Sequence, residues 1–164
     1  MTVAGNEPGT VTIVGMRVVK SCGPPLSGTL SDSPAQGSGG TIVMGFNLDS
    51  ATDTAEADNG VGITPGSDFF HGHVITLAFG ETHTLTINVL TTMHYCRFGF
   101  EMSVATPAGL VYERVSDNGA PFELSGILRP SAYKALYVGG NDALGYKLNT
   151  TGAWIREDPR TFKG

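Results

Sequence analysis

The chain has 164 residues, enough for one domain to bury a core without a metal or several staples. Charged residues make up only 15% and the net charge is −5, with the ten basic residues scattered. That excludes a phosphate-neutralising patch for nucleic acid and a cationic membrane-surface helix. No run reaches the roughly 20 apolar residues of a membrane-spanning helix, and residues 1–10 lack the apolar segment of a signal peptide. The chain as written would stay where it was made, or else it is a piece trimmed from something longer.

Glycine accounts for 23 residues, and threonine and serine are frequent. Glycine weakens helices and threonine is stiff at χ1, so the mix favours short strands joined by turns. Apolar stripes of helical period are interrupted everywhere by Gly or Pro. In chain order, strands are expected over 10–22, 41–48, 73–79, 83–90, 94–105, 110–115, 121–127 and 132–138. Turn sequences separate them, among them Gly23-Pro24-Pro25, Pro107-Ala108-Gly109 and Asp117-Asn118-Gly119. The stretches 26–40, rich in Ser and Gly, and 49–68, rich in acids, are expected as loops. The fold class is all-β: one β-sandwich or jelly-roll-like domain of about eight strands over 1–140. Residues 141–164 form an irregular tail anchored through Trp154.

Strand parity sharpens the middle of the chain. Cys96, Phe98, Phe100, Met102 and Val104 share one face of a strand, and Arg97, Glu101 and Ser103 share the other. Cys96 therefore points into the core. Cys22 ends the apolar run that begins at Val11, so both cysteines are expected inward, on different strands, joined in a disulfide. The long loop it closes gives roughly 4 kcal/mol in the chain-entropy model. A disulfide implies an oxidising compartment, hence an extracytoplasmic protein.

Ile75, Leu77 and Phe79 share a face, as do Leu85, Ile87 and Val89. A simple meander pairs Phe79 with His83 and Leu77 with Leu85, then Val89 with Cys96 and Ile87 with Phe98. In that register His71, His73 and His94 gather at one end of a sheet. A His-x-His pair on one face plus a third His is a real metal-ligand spacing. The acidic loop with Asp49, Asp53, Glu56 and Asp58 offers oxygen ligands for Ca²⁺, but its spacing matches no EF-hand, and a solvated loop is the simpler account.

Signals for catalysis are absent. There is no Gly-x-Ser-x-Gly elbow and no phosphate-cradling loop between a strand and a helix. Cys96 lies near His94, but burial and a disulfide would silence it as a nucleophile. Aromatic residues cluster late, and Tyr112, Tyr133, Tyr137 and Trp154 are candidates for a ligand platform, with Phe122 and Tyr146 nearby in sequence. Core packing explains most of them equally well.

Two stretches carry a family likeness. One is Phe46-Asn47-Leu48-Asp49. The other runs from Cys96 to Val104, through Val111-Tyr112-Glu113-Arg114-Val115 and Asp117-Asn118-Gly119-Ala120-Pro121-Phe122, to Tyr133. Together they resemble a loosely defined actinobacterial group of extracytoplasmic β domains. In that group the domain follows an amino-terminal helix-turn-helix module and a single membrane span. The resemblance implies export and a membrane span upstream of this chain. The Pro-Phe unit is structural in its own right: Pro121 opens a strand, and Phe122 and Leu124 face inward.

The expectation is a non-catalytic extracytoplasmic ligand-binding or sensor domain of a cell-surface protein. Its partner is a small molecule, an envelope glycan or a protein, with no nucleic acid and no cofactor, and a membrane only through a segment outside the chain. The alternatives are a metal-dependent enzyme or binding module on His71, His73 and His94, and a structural or assembly domain.

Overall fold

A computed structural model describes residues 1–32, 42–58, 62–139 and 154–162. Its elements, in chain order, are β1 (Thr2–Ala4), β2 (Val11–Gly23), β3 (Thr29–Asp32), β4 (Ile42–Asn47), β5 (Glu56–Asp58), β6 (Ile63–Asp68), a one-turn helix α1 (Phe69–Gly72), β7 (Ile75–Leu77), β8 (Thr82–Leu90), β9 (Tyr95–Thr106), β10 (Gly109–Val115), β11 (Phe122–Ser125), β12 (Ala135–Val138) and β13 (Ile155–Glu157). The all-β class expected from composition is the one adopted, and each expected strand is present with its ends shifted by up to three residues. The acidic and Ser/Gly-rich stretches are not purely loops, because β3, β5 and β6 lie within them. β6 is an edge strand, where Pro65 lacks no needed donor.

Contacts divide the chain into two units. The larger holds Met1–Pro24 and Gly40–Gly126; the smaller holds Pro25–Gly39 and Ile127–Gly164. Residues 127–139, expected within the sandwich, thus group with the smaller unit. There β12 pairs in parallel with β3 and antiparallel with β13. Of the expected tail, 140–153 with Tyr146, and 163–164, lie outside the described residues. Trp154 is 46% exposed, just before β13.

The larger unit is a two-sheet sandwich. One sheet has the order β1-β8-β4-β5-β6; the other has β10-β9-β2-β7, with β11 continuing along β9 past the end of β10. Inward side chains alternate along β9 as parity requires: Cys96, Phe98, Phe100 and Met102 are buried. They meet the other sheet at the centre of the core, where the rings of Phe46 and Phe100 lie 4.9 Å apart. Phe122 packs beside Phe98 at 5.7 Å, so the Pro-Phe unit does face inward. The turn before it is tight: Asp117 and Ala120 exchange two 2.9 Å backbone bonds, and Asn118 and Gly119 both take positive φ, 50° and 90°.

The expected meander does not form. β7 pairs with β2, β8 pairs with β1 and β4, and β9 pairs with β2, so the three strands are split between the two sheets. Consecutive strands with matched apolar faces can pack face to face as readily as pair edge to edge, and here Ile87 and Val89 face β9 across the core. Phe79 is not inward either; it is 71% exposed, beyond the end of β7.

Cys22 and Cys96 form a disulfide, and they are direct partners in the β2–β9 ladder with Cα atoms 4.1 Å apart. That separation suits a non-hydrogen-bonded antiparallel pair. Cys96 is fully buried, whereas Cys22, expected inward, is exposed near the end of β2.

The flanks of the sandwich differ. On one, residues 53–58 stitch the sheets together: Val18 N–H donates to Asp53 C=O (2.7 Å) and Ala55 N–H to Met16 C=O (3.0 Å). Directly afterwards, Glu56 and Ala57 pair with Gly45 and Met44 of β4. The opposite flank lies between β1 and β8 on one sheet and β10 and β11 on the other, and no strand among the described residues joins them.

Candidate functional site

The open flank carries two clefts. β1 has three residues, whereas the β9–β10 hairpin facing it has strands of twelve and seven. Of the inward side chains on this hairpin, Val104 and Val111 stay partly exposed. The upper cleft, about 520 Å³, is floored by Val11, Ile13, Leu77, Met102, Val104 and Val111 and walled by β1. Asn6, Glu7, Glu113 and Arg114 stand at its polar margin. An apolar body with a few polar groups and a volume of several hundred Å³ is the usual form of a small-molecule site. The lower cleft, about 690 Å³, lies further along β8: Ile87 and Val89 of β8 face Phe98, Phe122 and Leu124, with Asp117 and Glu123 outside.

The most highly organised polar cluster lies at the end of the sandwich and centres on Asp49. Its Oδ1 accepts from Thr91 Oγ1 (2.6 Å) and His94 Nδ1 (2.9 Å); its Oδ2 accepts from Thr92 N–H (2.7 Å) and Thr92 Oγ1 (2.9 Å). The His94 nitrogen facing a carboxylate must be the protonated one, which fixes the ring's orientation. The Asp49 side chain is 8% exposed. Burial pushes its carboxyl up, but the hydrogen bonds from Thr91, Thr92 and His94 outweigh it and hold the group well below the usual carboxylate range. Lys20 completes the end of the core, its Nζ donating to Leu48 C=O (2.8 Å) and Ser50 C=O (2.6 Å). With its oxygens committed to one connection, Asp49 acts as a latch between the end of β4 and the β8–β9 turn.

His71, His73 and His94 are not brought together. His71 lies on α1, which Asp68 caps by accepting from Phe70 N–H at 2.9 Å. His73 stacks on Phe69, ring centroids 4.8 Å apart, with its Nδ1 3.0 Å from Phe69 C=O. His94 belongs to the Asp49 latch. Their expected grouping rested on the meander, which is absent, and no three His, Cys, Asp or Glu among the described residues are grouped to hold a metal. The acids of 49–58 are likewise dispersed: Glu56 accepts from Gly66 N–H (2.7 Å), and Asp58 accepts from Asn88 Nδ2 (2.7 Å) on a sheet surface.

The aromatic candidates fall in both units. Tyr112 is 61% exposed on β10, opposite Ser103 on the outer face of its sheet. Tyr133 is buried in the smaller unit, its hydroxyl accepting from Leu128 N–H at 2.9 Å, which is packing rather than a platform. Tyr137 is half-buried on β12, opposite Arg156 of β13. The sequence did not mark Thr91 and Thr92, because a carboxylate joined to them across some forty positions leaves no spacing to read. No protein-family model, curated protein or solved structure matches the chain.

Proposed function

We propose that this is a non-catalytic extracytoplasmic binding domain that takes a small amphipathic molecule in the upper cleft of the open flank. The carrying observation is a cleft of about 520 Å³ floored by the apolar core residues Val11, Ile13, Leu77 and Met102, with Val104 and Val111 partly exposed in it and Glu113 and Arg114 at the margin for a polar end group. Burial of a ligand's apolar body there gains about 25 cal/mol per Å² before the cost of association. The disulfide supports an oxidising compartment. No helix among the described residues is long and apolar enough to cross a membrane, so a membrane-anchored sensor would take its span from elsewhere.

The test is an amide chemical-shift titration of isotope-labelled protein with an anilinonaphthalene sulfonate dye, repeated on Val104→Trp, which fills the cleft. Saturable shifts confined to β1, Met102–Thr106 and Val111–Arg114, lost in Val104→Trp, are expected. Shifts that do not saturate, or that Val104→Trp leaves unchanged, contradict the reading.

A further inference from the structure

The smaller unit holds a cleft of its own, about 700 Å³, beside the start of β12 and the end of β13. Backbone bonds place its walls. A single 3-10 turn at Pro130–Ala132 closes with Tyr133 N–H on Pro130 C=O (3.0 Å), and Lys134 N–H donates to Gly28 C=O (2.9 Å) just ahead of β3. In the antiparallel β12–β13 ladder Leu136 faces Glu157. Lys134 therefore lies just before the ladder on one strand, where residues 158–160 lie just beyond it on the other. Those residues form a turn held by Asp158, whose Oδ1 accepts from Arg160 N–H (2.9 Å) and whose C=O accepts from Phe162 N–H (3.0 Å). Lys134, Arg156 and Arg160 thus line one cleft, with Ser131 beside them.

Three positive side chains at one cleft stand out in a chain of fifteen acidic and ten basic residues. In the larger unit Arg17 pairs with Glu101, Arg97 pairs with Glu123, and Lys20 Nζ donates to two backbone carbonyls. Among the described residues, by contrast, no carboxylate lies within ion-pairing distance of Lys134, Arg156 or Arg160. Glu157 and Asp158 line the same cleft without neutralising them, and one Asp158 oxygen is already committed to the turn.

We infer that this cleft binds the phosphate group of a small molecule. Guanidinium forks match phosphate oxygens bidentately, and an ammonium adds a compact point charge. Three cations suit the three terminal oxygens of a phosphate monoester, which carries nearly two negative charges at neutral pH. A carboxylate, with one charge, gains about half as much from the same field. A nucleic acid is a poorer match, because each phosphate along it needs its own cations and the cleft supplies a single set. Ser131 offers a hydroxyl donor, and half-buried Pro159 offers apolar surface to an organic substituent. This cleft shares no residue with the upper one, so either reading can fail without the other.

The test titrates the isotope-labelled full chain with inorganic phosphate, phenyl phosphate and benzoate at constant ionic strength, following the amides of residues 131–134 and 156–160. Saturable phosphate-dependent shifts are expected there. Binding should weaken at least tenfold in Arg156→Gln with Arg160→Gln, and should tighten in Glu157→Gln, which removes a repelling charge. Tighter binding of phenyl phosphate than of inorganic phosphate assigns the site to an organic ester; equal binding assigns it to phosphate itself. Shifts that do not saturate, that benzoate produces with equal affinity, or that survive the double arginine variant overturn the inference. Should that variant fail to fold, Glu157→Gln decides, and unchanged or weaker binding there also overturns it.

Discussion

The two flanks of the larger unit show how one sandwich can be sealed on one side and receptive on the other. On the sealed flank, residues 53–58 change sheets within a few positions, bonding first to Met16 and Val18 and then to Met44 and Gly45. Backbone groups there are consumed by the ladder, and the side chains beneath are covered: Ala55 and Met44 are fully buried. On the open flank the covering strand stops early. Apolar side chains such as Val111, 40% exposed, are left in contact with water, and no strand among the described residues pairs with the Ile87–Val89 edge. Unpaired edges are usually blunted by charge or a bulge. The tight turn at 117–120 separates β10 from β11 on this flank but leaves the β8 edge uncovered.

The largest expected effect comes from the staple between β2 and β9, the strands that span from one flank to the other. Replacing both cysteines, Cys22→Ala with Cys96→Ala, should cost roughly 4 kcal/mol in denaturant unfolding. Next is the latch. Asp49→Ala removes a charged acceptor of several hydrogen bonds and should cost on the order of 3 kcal/mol, read as a fall in midpoint at constant m. Its pH dependence has a definite sign. The folded carboxyl titrates below the unfolded value of about 3.9, so the native state binds fewer protons at acid pH. The stabilisation is complete above about pH 5 and is lost as pH falls through 4 and below. Asp49→Asn should flatten that acid limb in a stability-versus-pH series.

A smaller loss is expected on the sealed flank from Gly45→Ala, whose methyl would strike the Ile63 side chain packed over it. A cost of about 2 kcal/mol follows from overpacking, and the clash is relieved by Ile63→Ala, which removes the side-chain carbons nearest the new methyl. The smallest effect belongs to the open flank. Val111→Ser should change stability by about 0.5 kcal/mol or less in thermal unfolding, because that side chain is already half in water. Its dye affinity should nevertheless fall. A large stability loss at Val111 together with none at Gly45 would reverse the contrast between the flanks.

Much of this fold was legible in the sequence, and the limits have physical causes. Alternation placed Cys96, Phe98, Phe100 and Met102 inward, and the Asp117-Asn118-Gly119 turn was readable because positive φ demands such residues. Parity says which way a side chain points but not which strand lies beside it. The meander failed for that reason, and the histidine cluster failed with it. β6 was hidden in Pro-containing sequence because an edge strand needs little apolar alternation, and the three-residue β5 is too short to show any. The Phe46-Asn47-Leu48-Asp49 stretch that carried the family likeness proves to end in the latch, where Leu48 is core and Asp49 binds the turn. The open flank could not be read at all, since parity does not say where two facing sheets leave one another uncovered.

Amide hydrogen exchange on the unliganded protein tests the contrast most directly. The Val18 and Ala55 amides on the sealed flank are expected to exchange only near the global unfolding limit, and the Ile87 and Val89 amides orders of magnitude faster although they lie mid-strand. Protection of Ile87 and Val89 equal to that of Ala55 would contradict it, because the edge read here as vacant would then be paired.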